Sequence, residues 1–120
     1  MRDRMAITKM LFMIGGLLVW AAHFTIIYGF TTVACAQGFA ATHVLGAGIV
    51  PVVVGAVTLL AWVITCAVLI SAASGPIPPR SARFSEETEH FMRYTAALIA
   101  ILSLVAIAWN ALPVLVVAPC

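Results

Sequence analysis

The chain has few charged residues, and most of its length has none. Only 8% of its 120 residues are Asp, Glu, Lys or Arg, and 64% are hydrophobic, against about 25% and about 45–50% in an ordinary soluble domain. The seventy residues between Lys9 and Arg80 contain no charged side chain. Because a soluble fold of this size needs charge to cover its wet surface, the composition excludes a conventional soluble enzyme, a disordered chain and a nucleic-acid-binding protein.

The sequence also lacks the groups of side chains that carry metal or nucleophilic chemistry. No Cys, His or carboxylate residues follow metal-ligand spacing. The long apolar stretches contain no Asp, Glu or Lys that could relay protons, and no cysteine has a base nearby in the sequence. We therefore expect no catalytic residue, no metal site and no cofactor held by this chain alone. At most it is a non-catalytic subunit of an enzyme complex.

Three apolar stretches predict an all-α integral membrane protein. A helix needs about 20 apolar residues to cross a hydrocarbon core about 30 Å thick, and the windows at about 10–36, 44–73 and 92–117 meet this requirement. A short link at 37–43 joins the first two windows, and a Pro-rich loop at 74–91 joins the second to the third. Residues 1–120 thus form one membrane domain with three transmembrane helices.

The cations predict the orientation of these helices. All six lie before the first span or around the Pro-rich loop, at Arg2, Arg4, Lys9, Arg80, Arg83 and Arg93. The link at 37–43 and the C-terminal tail contain no Lys or Arg. The positive-inside rule assigns the basic side to the cytoplasm, so we predict a cytoplasmic N-terminus, a cytoplasmic Pro-rich loop and an external C-terminus.

His23 is the most informative residue in the sequence. It lies near the centre of the first span, where an ionisable side chain is costly and usually faces protein or a water-filled cavity. It is a candidate for cofactor binding, for a proton relay, or for a plain hydrogen bond to another helix. Because His43 and His90 lie at opposite ends of the spans, a two-histidine haem site would need two copies of His23 in a dimer. Candidate hydrogen-bond partners near its level are Thr58 and Ser103, with Asn110 and Tyr28 somewhat further outward.

Small residues predict where helices pack. They let helix backbones approach in lipid, where the hydrophobic drive for association is missing. In the third span they recur every three or four positions, as Ala96, Ala100, Ser103, Ala106 and Asn110. In the second span Gly48 and Gly55 are seven residues apart. The residues expected to pack between helices or contact a partner are Trp20, His23, Tyr28, Gly48, Gly55, Ala96, Ala100, Ser103 and Asn110.

The three cysteines differ in their predicted depth. Cys35 lies at the outer end of the first span, and Cys120 is the last residue on the same side, whereas Cys66 lies within the second span. An oxidising outer compartment would permit a disulfide between Cys35 and Cys120. Two free thiols are the alternative, since an equal depth does not imply a shared position.

One stretch resembles a known group of proteins. It runs Trp20-Ala-Ala-His23-Phe24-Thr-Ile-Ile-Tyr28-Gly-Phe-Thr-Thr-Val-Ala34-Cys35-Ala36. It resembles the first helix of small membrane proteins found with proteobacterial haem–copper cytochrome oxidases. This resemblance implies an accessory or assembly subunit of a respiratory terminal oxidase in the bacterial inner membrane, with haem and copper held by the partner.

The sequence therefore favours a non-catalytic subunit packed against larger membrane proteins and the lipid bilayer. Two other classes of function remain open. One is a haem- or quinone-associated electron carrier that uses His23 in an oligomer. The other is a small transporter or channel that forms by oligomerisation.

Overall fold

The computed structural model describes residues 2–74 and 86–120. These form four α-helices: α1 (Arg2–Met13), α2 (Gly15–Gln37), α3 (Ile49–Ser74) and α4 (Glu86–Val116). Helices α2, α3 and α4 are long and apolar enough to cross a membrane. This confirms the prediction of an all-α fold with three candidate membrane spans.

The Pro-rich loop is only partly described. The predicted loop began at Ser74 and ended at residue 91, but Ser74 is the last residue of α3 and α4 already begins at Glu86. Residues 75–85, with Arg80 and Arg83, lie outside the described residues. Helix α4 therefore begins six residues before the predicted span at 92–117, because charged residues extend it beyond the apolar stretch.

The first predicted span, at 10–36, differs from the structure at its start. Residues 10–13 belong to α1, and α2 begins at Gly15. The break is one residue long, since the Ile14 N–H donates to the Met10 carbonyl at 3.1 Å and the Ile14 carbonyl accepts from the Leu18 N–H at 3.0 Å. Helices α1 and α2 are therefore joined by backbone hydrogen bonds on both sides of Ile14, although the sequence analysis predicted no helix before the span.

A β-hairpin occupies the link between α2 and α3. After a 3₁₀ turn at Phe39–Ala41, strand β1 (His43–Val44) pairs antiparallel with β2 (Ala47–Gly48). The second span was predicted from residue 44, so its first five residues were assigned wrongly to a helix. Leu45 and Gly46 form the turn with φ of 54° and 81°, and positive φ at both central residues is typical of a type I′ hairpin. Leu45 is strained there, by about 1–2 kcal/mol.

The three long helices pack as a bundle in which every pair is in contact, and α3 runs antiparallel to the other two. Helices α2 and α4 run parallel. We call one end the hairpin end, where the hairpin, the end of α2 and the tail 117–120 meet. The opposite end is the charged end, with Arg4, Lys9, Glu89 and Arg93. A core cluster lies near the hairpin end and comprises Ile27, Ala34, Val50, Val54 and Ala111, with Phe30 and Phe39 packed against it.

Candidate functional site

A hydrogen bond between α2 and α3 lies near the middle of the bundle. His23 is 1% exposed, and its Nε2 atom is 2.9 Å from the Thr58 hydroxyl oxygen. Either group donates, depending on the ring tautomer. Four other threonines in the spans instead donate to the carbonyl four residues earlier: Thr25, Thr31, Thr32 and Thr65. The contact with Thr58 connects two helices. Thr58 is one of the residues that the sequence placed at the same level as His23.

Two polar atoms of α2 are buried without a hydrogen-bond partner among the described residues. They are Nδ1 of His23 and Nε1 of Trp20. These side chains are three residues apart, so they occupy neighbouring positions on one face of the helix. His23 thus has one nitrogen engaged by α3 and one with no hydrogen-bond partner among residues 2–74 and 86–120.

Gly16 lies at a close approach of α2 to α4. A Cβ atom added at Gly16 would be 2.9 Å from the Ala100 Cα atom and 3.0 Å from the Ser103 hydroxyl oxygen. The sequence analysis did not identify Gly16. One signal was available, because Gly16 is seven residues before His23 and so shares its helix face.

The predicted small-residue face of α4 agrees with the structure in its first half. Ala96, Ala100 and Ser103 are all buried. The predicted series then continued to Ala106 and Asn110, but the buried residues of the next two turns are Ile107 and Ala111. The Asn110 side chain is only half-buried and has no hydrogen-bond partner in the described part of the chain. The prediction continued from Ser103 with a step of three residues, whereas steps of four reach the buried Ile107 and Ala111.

Three other predicted packing residues do not lie in a contact between helices. Gly48 is in β2, and the only atoms near its Cβ position belong to Pro51. Gly55 has no atom within 4 Å of that position. Tyr28 is 52% exposed and stacks in a row with Phe24 and Trp20, with ring centroids 4.5 and 5.8 Å apart. These three residues therefore do not pack between helices of this chain, because periodicity finds a face without giving its direction, and their contact with a partner stays a prediction.

A disulfide closes the hairpin end. Cys35, in the last turn of α2, is bonded to Cys120, and the two Cα atoms are 5.8 Å apart. The sequence left this pair open because depth alone was known. Folding brings them together, since α2 and α4 run parallel and the tail after Val116 returns to the end of α2. Cys66 is a free thiol.

Polar contacts between described residues connect the helices at the charged end. Lys9 Nζ lies 3.1 Å from a carboxylate oxygen of the buried Glu89, which connects α1 to α4. Arg93 Nε donates to the Ala72 carbonyl at 3.1 Å, and this satisfies one of the free carbonyls at the end of α3. Lys9 and Arg93 therefore hold helix ends in place, in addition to making this end of the bundle basic.

The polar side-chain contacts between helices include His23 with Thr58, Lys9 with Glu89, and Arg93 with the Ala72 carbonyl. Within residues 2–74 and 86–120, no three His, Cys, Asp or Glu side chains are grouped so that they could hold a metal ion. No known protein family, curated protein or solved structure shows significant similarity to this chain.

The contact between His23 and Thr58 makes a measurable prediction. Hydrogen bonds between membrane helices contribute about 0.6 kcal/mol on average, and at most about 1.7 kcal/mol. We expect a double-mutant cycle of His23→Leu and Thr58→Val, measured as the free energy of unfolding in lipid micelles, to give a coupling in this range. The same cycle with Thr65→Val is the control, because Thr65 bonds within its own helix. Equal coupling in both cycles would contradict the assignment.

Proposed function

We propose that this protein is a non-catalytic accessory or assembly subunit of a larger membrane complex. The proposal is carried by the outward side of α2, which we call the α2 face. It comprises Ala21, Ala22, Thr25, Tyr28, Gly29 and Thr32, all of which are exposed. The ring contact of Tyr28 with Phe24 lies within α2 itself.

The α2 face groups small exposed residues on one side of the helix, beside the bulky exposed Phe24 and Ile26 of the same helix. Exposed residues in the middle of α4 are bulky: Leu98, Ile101, Leu102, Val105, Trp109 and Leu112. Those of α3 are mostly bulky too: Leu59, Leu60, Trp62, Val63, Ile64 and Ile70. Lipid chains cover bulky surfaces well, whereas small residues permit close helix approach. The α2 face therefore favours a helix of another subunit.

Tyr28 adds a polar requirement to this surface. It is two residues from the midpoint of α2, or about 3 Å along the helix axis. Its hydroxyl has no hydrogen-bond partner in the described part of the chain. Because hydrocarbon offers no hydrogen bonds to a phenol, an acceptor on a neighbouring subunit would satisfy it.

The resemblance of residues 20–36 favours a respiratory terminal oxidase as the larger complex. All of this stretch lies on α2. In this proposal the partner holds haem and copper, the chain resides in the bacterial inner membrane, and the charged end faces the cytoplasm. The disulfide then lies in the oxidising periplasm, which agrees with its chemistry.

The arrangement around His23 gives less support to an electron carrier. Nε2 is engaged by Thr58, and the ring is enclosed. A haem iron would have to displace Thr58 or reach Nδ1 through packed side chains. A Soret band in the purified protein that is lost in His23→Leu would favour the carrier over an accessory subunit.

Replacing Gly29 with Leu is the direct test of the α2 face. We expect Gly29→Leu to reduce co-migration of this chain with oxidase subunits at least tenfold on a native gel, measured by mass spectrometry of the band. The reason is that a bulky side chain would keep the partner helix away. Gly55→Leu is the matched control, since both glycines are in mid-helix with no atom within 4 Å of the Cβ position.

The two variants separate assembly from folding. Both should retain the Cys35–Cys120 disulfide and the helical content of the parent protein. Equal co-migration of Gly29→Leu and the parent would show that the α2 face is not the docking surface. Solute flux in liposomes that contain this protein alone would instead favour the transporter hypothesis.

A further inference from the structure

The turn of the hairpin presents an apolar side chain at a position where Leu is unfavourable. Leu45 is 93% exposed, more than any other large hydrophobic residue in the described part of the chain, and its φ is 54°. Gly or Asn would adopt this conformation more readily. Since Leu45 is almost fully exposed, packing within the chain does not offset its strain.

We propose that Leu45 inserts into the interfacial region of the bilayer, so that the hairpin is a lipid anchor at this end of the bundle. Burial of an apolar side chain away from water offsets the unfavourable backbone conformation. Val44, the preceding residue, is also exposed and extends the apolar surface. The inference concerns contact with lipid and is independent of the proposed docking of α2 on another subunit.

The position of the hairpin matches this depth. Its strands are two residues long, so the turn lies only about 7 Å from their bases. The interfacial zone on each side of the hydrocarbon core is about 5–7 Å thick. The hairpin base is fixed, because the Ile49 N–H donates to the Thr42 carbonyl at 2.8 Å and Phe39 packs on Phe30.

The composition of the segment favours lipid over a protein partner. Residues 38–48 include no charged residue and no Trp, Tyr or Arg, the residue types that dominate the binding energy of protein interfaces. Its one phenylalanine, Phe39, is packed against Phe30 within the chain, and the exposed His43 lies at the base of the hairpin, two residues before the turn. What remains at the turn is an uncharged aliphatic surface, which suits the acyl-chain boundary of a membrane.

A single tryptophan at the turn tests the contact. We would place Leu45→Trp in a background of Trp20→Phe, Trp62→Phe and Trp109→Phe, and reconstitute the purified protein in phosphatidylcholine vesicles. Lipid brominated near the head of its acyl chains is expected to quench this tryptophan at least twofold, and aqueous iodide much less. A protein that keeps Trp109 alone is the control for a lipid-facing position, since Trp109 is 71% exposed on α4.

The opposite pattern would overturn the proposal. Quenching by iodide without quenching by brominated lipid would show that the turn is exposed to water and not inserted in lipid. Retention of the disulfide on a non-reducing gel checks that the reporter protein is folded.

A second measurement avoids a bulky residue at the strained position. Leu45→Asn should be at least as stable as the parent in detergent, because Asn tolerates the left-handed conformation. In vesicles, the amides of residues 43–48 should exchange with deuterium several-fold faster in Leu45→Asn than in the parent. Thr42→Asn, at an exposed residue with ordinary φ, is the control. Unchanged exchange in Leu45→Asn would contradict a lipid anchor.

Discussion

Gly16→Ala is expected to lower the free energy of unfolding by about 2 kcal/mol, within the range of about 1–3 kcal/mol typical of overpacking. The new methyl group would lie 2.9 Å from the Ala100 Cα atom. A backbone atom cannot rotate away as a side chain can, so α2 and α4 would have to separate. The measurement is unfolding of the reconstituted protein by a denaturing detergent, followed by circular dichroism.

The adjacent glycine is the matched control for Gly16. A Cβ atom at Gly15 would be 3.7 Å from Val68, which is an ordinary contact. Gly15→Ala should therefore be neutral or stabilising by up to about 1 kcal/mol, because Ala favours a helix more than Gly does. The difference between the two variants isolates the packing effect. Equal stability of both would show that the helices do not approach closely at Gly16.

A second replacement distinguishes backbone from side-chain crowding at this contact. The Ser103 hydroxyl oxygen is also close to the Gly16 Cβ position, at 3.0 Å. If that oxygen were the main obstacle, Ser103→Ala would rescue Gly16→Ala. We expect little rescue, because the shorter contact is with the backbone of Ala100. Recovery of more than half of the lost stability would contradict this interpretation.

Cys120→Ser is expected to cost about 2 kcal/mol, at the low end of the range for removal of a native disulfide. The disulfide joins residues 85 apart in sequence, and a long loop gains the most from closure in the chain-entropy model. Helices that persist in the separated membrane state have fewer conformations than a coil, which reduces this gain. The measurement is the thermal midpoint with and without a reductant.

The reductant response has its own control. Reduction should lower the midpoint of the parent and of Cys66→Ser equally, because Cys66 is a free thiol. It should leave the Cys120→Ser midpoint unchanged. Alkylation of both Cys35 and Cys120 in the non-reduced parent, together with a midpoint insensitive to the reductant, would rule out the bond in solution.

The contact of His23 with Thr58 illustrates how far depth counting reaches in a helical membrane protein. Rise per residue is constant, so the level of a side chain along a span follows from its position in the sequence. Thr58 and Ser103 were both placed at the level of His23, and the Thr58 hydroxyl is the one bonded to its ring. The level of a side chain along its span is therefore predictable. Which of two residues at that level contacts His23 depends on how each helix is rotated about its axis.

The hairpin illustrates an opposite limit. Residues 44–48 are apolar or glycine, so they extended the hydropathy window of the second span. The helix does not extend back into these residues because Leu45 and Gly46 have positive φ. Hydropathy carries no information about φ. The same argument applies at Ile14, where one residue separates α1 from α2 within a continuous apolar run.

The sequence by itself determined the number of candidate spans, the separation of charged from uncharged ends and the shared level of His23 and Thr58. These follow from hydropathy and from a fixed rise per residue, which are properties of the chain alone. Only the tertiary structure decided that Gly16 contacts Ala100, that Tyr28 faces outward, and that Cys35 meets Cys120. Those depend on the rotation of each helix about its axis, and in an almost uniformly apolar chain side-chain fit rather than polarity determines that rotation.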